Sequence, residues 1–252
     1  MKRAALTRGL VWLGALLVAP LAIAGEVKVA VAANFVAPLR QIGAEFMRHS
    51  GHTLQVTPGA TGKLYAQIVN GAPFEVFLAA DSATPARLER EGQASAGSRF
   101  TYAVGRLVLW SAQPGLIDAA GEVLQRGNFR RLALANPKTA PYGAAALEVL
   151  QARGLYASLQ EKFVYGENIA QTQQFVASGN AELGFVALSQ VWQDGRLTSG
   201  SAWQVPPGLH APLRQDVVLL KRGEHSTAAR AFLDYLKSDA ARQVITAYGY
   251  AF

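Results

Sequence analysis

Short runs in which apolar and polar residues alternate are separated along this chain by stretches whose apolar positions recur every three or four residues. Residues 26–31 alternate and then turn apolar, which predicts a first strand. Phe35, Leu39, Ile42 and Phe46 follow at helical spacing, and the helix is expected to stop near Ser50-Gly51. Residues 53–56 read as a second strand, Pro58-Gly59 as a turn, 62–69 as a short helix and 75–79 as a third strand. The next helix has Asp81 or Ser82 near its N-cap and ends at Gly92.

Residues 100–111 form one long β-type run interrupted by Gly105, longer than the usual ~5–6 residues of a strand. Its length suggests a segment that crosses between two lobes. Further on come a strand at 132–135, a helix opening at Pro141, a loop at 165–167, a helix at 168–177 and a strand at 183–186. A second long strand at 216–221 precedes helices at 227–236 and after Ser238 or Asp239, the last closed by Gly249. Strands alternating with helices predict an α/β protein with mostly parallel sheets. Crossings near Val104-Gly105 and Gln215-Asp216 divide it into a first lobe, 25–104 with 217–252, and a second lobe, 105–216, joined by a hinge.

The amino terminus changes the cellular setting. Lys2, Arg3 and Arg8 precede a charge-free apolar stretch, residues 9–24, that ends in Ala22-Ile23-Ala24. This is the layout of an export signal cleaved after Ala24; the stretch contains Pro20 and falls short of the ~20 residues of a membrane span. The chain is therefore expected to be exported from the cytoplasm. Three of the basic residues behind the net charge of +7 lie in that signal, and the rest are scattered. No concentrated basic face marks a nucleic-acid binder. With no cysteine and half its residues apolar, the exported chain must be stabilised by packing alone.

Four predicted helix starts carry the candidate chemistry. Asn34 is expected to cap the first helix and Thr61 the second. Pro141 occupies a first helical position, which puts Tyr142 in that first turn, and Asn168 caps the helix that begins at Ile169. A helix start offers unpaired N–H groups and the positive end of the helix dipole, so four starts converging across a cleft would make an anion cage of neutral donors. Each of these residues is also ordinary in an α/β protein, and the pattern alone does not choose between capping and binding. Other signals fail. GATGKL (59–64) lacks both the first Gly and the Ser or Thr of a phosphate loop. The four histidines show no ligand spacing beyond His49/His52, and no Gly-x-Ser-x-Gly elbow or thiol nucleophile is present.

The segments VAANF (31–35), GATG (59–62), NGAPFEVFLAAD (70–81), NPKTAPYG (136–143) and ELGFVAL (182–188) resemble the periplasmic molybdate-binding proteins of ABC-type transporters, over essentially the whole exported chain. The resemblance implies a two-lobed type II periplasmic-binding fold and a non-enzymatic role. In that role the chain captures molybdate, and tungstate with it, and delivers it to an inner-membrane ABC permease. It implies oxyanion binding by Asn34, Thr61, Tyr142 and Ile169, with molybdenum held only as the oxyanion, no directly ligated metal and no cofactor. It also implies a monomer that binds no nucleic acid. Two positions depart from the pattern: Ala33 and Ala187 stand where some members carry a hydroxyl. A cage of donors suits an anion with no proton, whereas hydrogen phosphate needs an acceptor. Glu167 is the nearby acid that would alter this balance. Sulfate or phosphate capture, a secreted hydrolase and an extracytoplasmic sensor are the alternative readings.

Overall fold

The structure, a computed structural model, describes residues 24–252; the expected export signal falls almost entirely outside them. The first part of the chain runs β1 (Glu26–Ala32), α1 (Val36–Ser50), β2 (Thr53–Gly59), α2 (Thr61–Val69), β3 (Val76–Leu78), α3 (Ala83–Arg90) and β4 (Phe100–Gly105). The chain then crosses at Arg106 into β5 (Leu107–Ser111), α4 (Val123–Arg126), β6 (Leu132–Ala135), α5 (Pro141–Ala152), α6 (Tyr156–Leu159), β7 (Phe163–Gly166), α7 (Ile169–Ala177) and β8 (Leu183–Ala187). A small hairpin of β9 (Trp192–Gln193) and β10 (Arg196–Leu197) and the strand β11 (Ser201–Gln204) complete this part. β12 (Leu213–Leu219), α8 (Thr227–Leu236) and α9 (Asp239–Ala247) return to the first.

Two five-stranded sheets result, ordered β2-β1-β3-β12-β4 and β11-β5-β8-β6-β7. In each, one strand runs against the other four: β12 in the first and β5 in the second. Both antiparallel strands belong to the crossing segments, so the crossings make the sheets mixed. Period-two alternation explains how β1 serves two layers. Val27, Val29 and Val31 face the core under α1, α8 and α9, while Ala30 faces Leu64, Ile68 and Leu88 of α2 and α3. Capping explains where the helices stop and start. Gly51 takes the left-handed conformation, φ 75°, and ends α1; Asn168, Ser226 and Ser238 cap α7, α8 and α9 through their side chains.

Several elements depart from the sequence expectation, each for a physical reason. Pro58 and Gly59 are not a turn but the end of β2, paired with Val31 and Ala32. Pro58 is tolerated there because β2 is an edge strand, whose outer side has no ladder to complete. Tyr165 and Gly166 belong to β7 rather than a loop, pairing in parallel with Leu134 and Ala135; four edge residues, of which only Gly166 is buried, are too few to show a period. The return crossing lies between Gln204 and Leu213, ahead of the expected Gln215-Asp216. Residues 213–216, expected in the second lobe, thus pair with β4 in the first sheet. Leu213–Gln215 pair with Ala103–Gly105, and the register shifts between Gln215 and Asp216. That irregularity hides the strand start from a periodicity reading.

Candidate functional site

Four of the parallel strands end in turns that open helices at a common cleft. β1 ends at Ala32 and leads through a 3-10 turn, Ala33–Phe35, into α1. β2 ends at Gly59 before α2, β6 at Ala135 before α5, and β7 at Gly166 before α7. The carboxyl ends of parallel strands are where ligands bind in open α/β sheets, because helix amides and dipoles converge there. The convergence is realised. Asn34, Thr61, Tyr142 and Ile169 all line one small cavity of about 10 Å³. Sites for organic ligands typically measure ~300–1,000 Å³, so this cavity has no room for one. No Asp, Glu, Lys, Arg or His lines it.

The two residues expected to cap, Asn34 and Thr61, do not. Asn34 lies inside the 3-10 turn and makes no capping bond. Its Nδ2 donates instead to Gln215 Oε1 at 2.8 Å and Tyr250 Oη at 2.9 Å. Thr61 is the first residue of α2, whose N-cap is Ala60. The Thr61 Oγ1 accepts the Ala80 amide at 3.0 Å, which leaves its own proton for the cavity. The other two starts match expectation. Pro141 opens α5 with Tyr142 beside it. Asn168 Oδ1 accepts the amides of Ala170 and Gln171 at 3.0 and 3.1 Å. The first-turn amides of Thr61, Tyr142 and Ile169 donate to no acceptor among the described residues.

Behind the cavity lies a buried polar network. Gln215 Nε2 donates to Tyr142 Oη at 3.0 Å, and Tyr102 Oη lies 3.0 Å from both Gln215 Oε1 and the Ala79 carbonyl. Tyr250 Oη and Ser189 Oγ both approach the Asn34 carbonyl, at 2.9 and 3.0 Å. Burial pushes the phenols of Tyr102, Tyr142 and Tyr250 above their ordinary pKa, so all three keep their protons as donors. Gln215, Tyr250, Tyr102 and Ser189 escaped the sequence reading. Their partners are distant in the chain, and a Gln on a strand or a Tyr near the C-terminus carries no local signal.

The two sheets' helices meet over the cavity. The Gly62 amide donates to the Thr139 carbonyl at 2.9 Å, and Lys63 Nζ pairs with Glu167 Oε1 at 2.7 Å. Glu167, the acid flagged in the sequence, does not line the cavity and is neutralised at its rim. Ala33 lines the cavity without a hydroxyl. At Ala187 the main chain is used instead: its amide donates to Gln190 Oε1 at 3.0 Å, while Gln190 Nε2 donates to the Ile169 carbonyl at 3.0 Å. Gln190 thereby fixes the start of α7 against β8. No cluster of metal-ligating side chains occurs among the described residues, and His52 Nδ1 accepts the Gly25 amide at 2.9 Å.

This arrangement of lobes and cavity can be set beside known proteins. The family model for bacterial extracellular solute-binding proteins matches residues 27–251. The chain belongs to that family. Among its relatives, a molybdate-binding protein ModA of Azotobacter vinelandii is 58% identical, with 97% of each chain covered. A molybdate-binding protein ModA of Rhodobacter capsulatus is 51% identical, covering 91% of this chain and 89% of the relative. Among solved family structures, the periplasmic molybdate-binding protein of Azotobacter vinelandii superposes with a TM-score of 0.87. It is 42% identical over 90% of this chain and 99% of that one. No helix among the described residues is long and apolar enough to cross a membrane.

Proposed function

We propose that this protein is the periplasmic substrate-binding component of an ABC importer, capturing molybdate, and tungstate with it, between its two lobes. The observation that carries the reading is the cavity itself. Asn34, Thr61, Tyr142 and Ile169, drawn from both sheets, surround a space with neutral donors and no charged side chain; for Asn34 the donor is the main-chain amide, because Gln215 and Tyr250 take its side-chain N–H groups. Charge-assisted hydrogen bonds contribute about 1.5–3 kcal/mol each, so a handful reaches the ~8 kcal/mol of micromolar binding after the costs of association. Fully deprotonated tetrahedral dianions satisfy such a cage. Hydrogen phosphate brings a proton that competes for the few acceptors present. The relatives named as molybdate-binding proteins favour molybdate over sulfate, which has the same charge and shape.

In this reading residues 25–104 with the C-terminal segment form one lobe, and the lobes rotate about the crossings at Arg106 and before Leu213. The anion stabilises the closed form because the second lobe supplies Tyr142 and Ile169 only on closure. The closed form is then presented to a membrane permease. The chain acts as a monomer, performs no catalysis and needs no cofactor; molybdenum enters only as its oxyanion. Calorimetric titration of the exported chain with molybdate, tungstate, sulfate and phosphate tests this. Binding of molybdate and tungstate, one per chain and well above phosphate, is expected. Absence of molybdate binding, or preference for phosphate, would refute it.

A further inference from the structure

In the polar network behind the cavity, Gln215 touches two of the four proposed binding residues, Asn34 and Tyr142. Gln215 is fully buried on β12, at the point where the register with β4 shifts. Its Oε1 receives Asn34 Nδ2 at 2.8 Å and has Tyr102 Oη at 3.0 Å, so its Nε2 is the end turned to Tyr142 Oη. A donated N–H from Gln215 makes the Tyr142 oxygen an acceptor there, which leaves the phenolic proton to turn either to the Tyr250 hydroxyl beside it or to an anion in the cavity. The crossing is shaped around this contact. Gly105 stands where a Cβ would collide with the Tyr142 hydroxyl and lie 2.5 Å from Gln215 Nε2. Asn34 Oδ1, by contrast, is buried with no partner among the described residues.

We propose that Gln215 is a positioning residue for the anion site: its amide, anchored by Tyr102 and Asn34, fixes the hydrogen-bond polarity of Tyr142 so that the phenol donates to the oxyanion. This rests on the reading of the cavity as an oxyanion site. The direction of one hydrogen bond then separates a cage of donors from a cage with an acceptor facing a dianion. An amide suits this place because it accepts at one end and donates at the other without carrying charge. A carboxylate of the same shape accepts at both ends. It would accept a hydrogen bond from the Tyr142 hydroxyl, turning that proton away from the cavity, and add a negative charge close to the bound anion.

Gln215→Glu converts this into a measurement. The titratable and charged groups facing the position are Tyr102 on β4, Tyr142 on α5, Tyr250 near the C-terminus and the neighbouring Asp216, with Asp81 acting on both Tyr102 and Asp216. Asp216 is already held by Arg99 Nη1 at 2.6 Å and Thr101 Oγ1 at 2.7 Å. The three phenols stay protonated, so the introduced carboxyl is the new titrating group; burial raises its pKa toward neutrality. Molybdate affinity is measured by calorimetry on the wild-type chain, Gln215→Glu and Gln215→Met across pH 6 to 9, with unfolding temperatures recorded for each.

Wild-type affinity is expected to stay level. Gln215→Glu should lose about tenfold or more as pH rises and the carboxyl ionises, recovering toward low pH where its O–H can donate to Tyr142. Gln215→Met should lose affinity by an amount independent of pH. Should Gln215→Glu not fold, Tyr102→Phe, which removes one anchor of the amide, is expected to weaken molybdate binding several-fold. Equal affinity of Gln215→Glu and wild type at every pH, an equal and level loss in both Gln215 variants, or wild-type affinity in Tyr102→Phe would overturn the role of Gln215. A wild-type chain that binds no molybdate overturns the functional reading itself.

Discussion

Gly62→Ala separates the closed form from the lobe that carries the residue. Gly62 lies in the first turn of α2, and its amide donates to the Thr139 carbonyl of the opposite lobe at 2.9 Å. A Cβ there would meet the Thr139 Cα at 3.1 Å and its carbonyl oxygen at 3.3 Å. These are main-chain atoms just before α5, so relief requires the seam to open by a few tenths of an ångström rather than a side chain to turn. Overpacking of this kind costs about 1–3 kcal/mol, and here only when the lobes are together. Within α2 the same change favours the helix by up to about 1 kcal/mol over glycine. The two effects have opposite signs in the two readouts. The ligand-free protein should unfold at the same or a slightly higher temperature, while molybdate affinity falls about 5- to 150-fold. Calorimetry paired with thermal unfolding reads both. Unchanged affinity in a variant of normal stability would show that this seam is not compressed in the bound state.

Thr61→Ala removes a hydroxyl whose lone pair holds the Ala80 amide and whose proton faces the cavity; molybdate affinity should fall by roughly 1–2 kcal/mol in calorimetry. Lys63→Met leaves the Glu167 carboxylate unpaired at the rim. Because the pair is 47% and 55% exposed, the loss of affinity should stay below about 1 kcal/mol, be reversed by adding Glu167→Gln and shrink in high salt. Asp118 accepts the amides of Glu122 and Ala120 and pairs with Arg126, which lowers its pKa to about 2. A depressed carboxyl contributes stability above its unfolded pKa and loses it as pH falls toward the folded value. Asp118→Asn should therefore lower the urea midpoint at pH 6 and make little difference near pH 2.

How much of this was legible in sequence depended on whether the signal was local. The helix with Phe35, Leu39, Ile42 and Phe46 on one face, the Asn168 cap and the break at Gly105 are decided within a few residues, and each matches the structure. β7 was missed because it is four residues at a sheet edge, and the start of β12 because its register shifts beside Gln215. The four cavity residues follow from helix starts and from family resemblance together, although Asn34 and Thr61, the two expected to cap, do not. The network behind them was invisible for a plain reason. Gln215 and Tyr250 lie 181 and 216 residues from Asn34 in the chain and meet it only after both crossings are made. Local pattern locates amides at the ends of helices; it does not reveal which distant side chain orients them.

The central claim is that neutral donors from both lobes enclose one dianion at a single cavity. A crystal structure of the protein grown with tungstate, with data collected at the tungsten absorption edge, tests it most directly. The account predicts one strong anomalous peak among Asn34, Thr61, Tyr142 and Ile169, with the lobes closed around it. A peak elsewhere, or lobes open around an empty cavity at saturating tungstate, would contradict it.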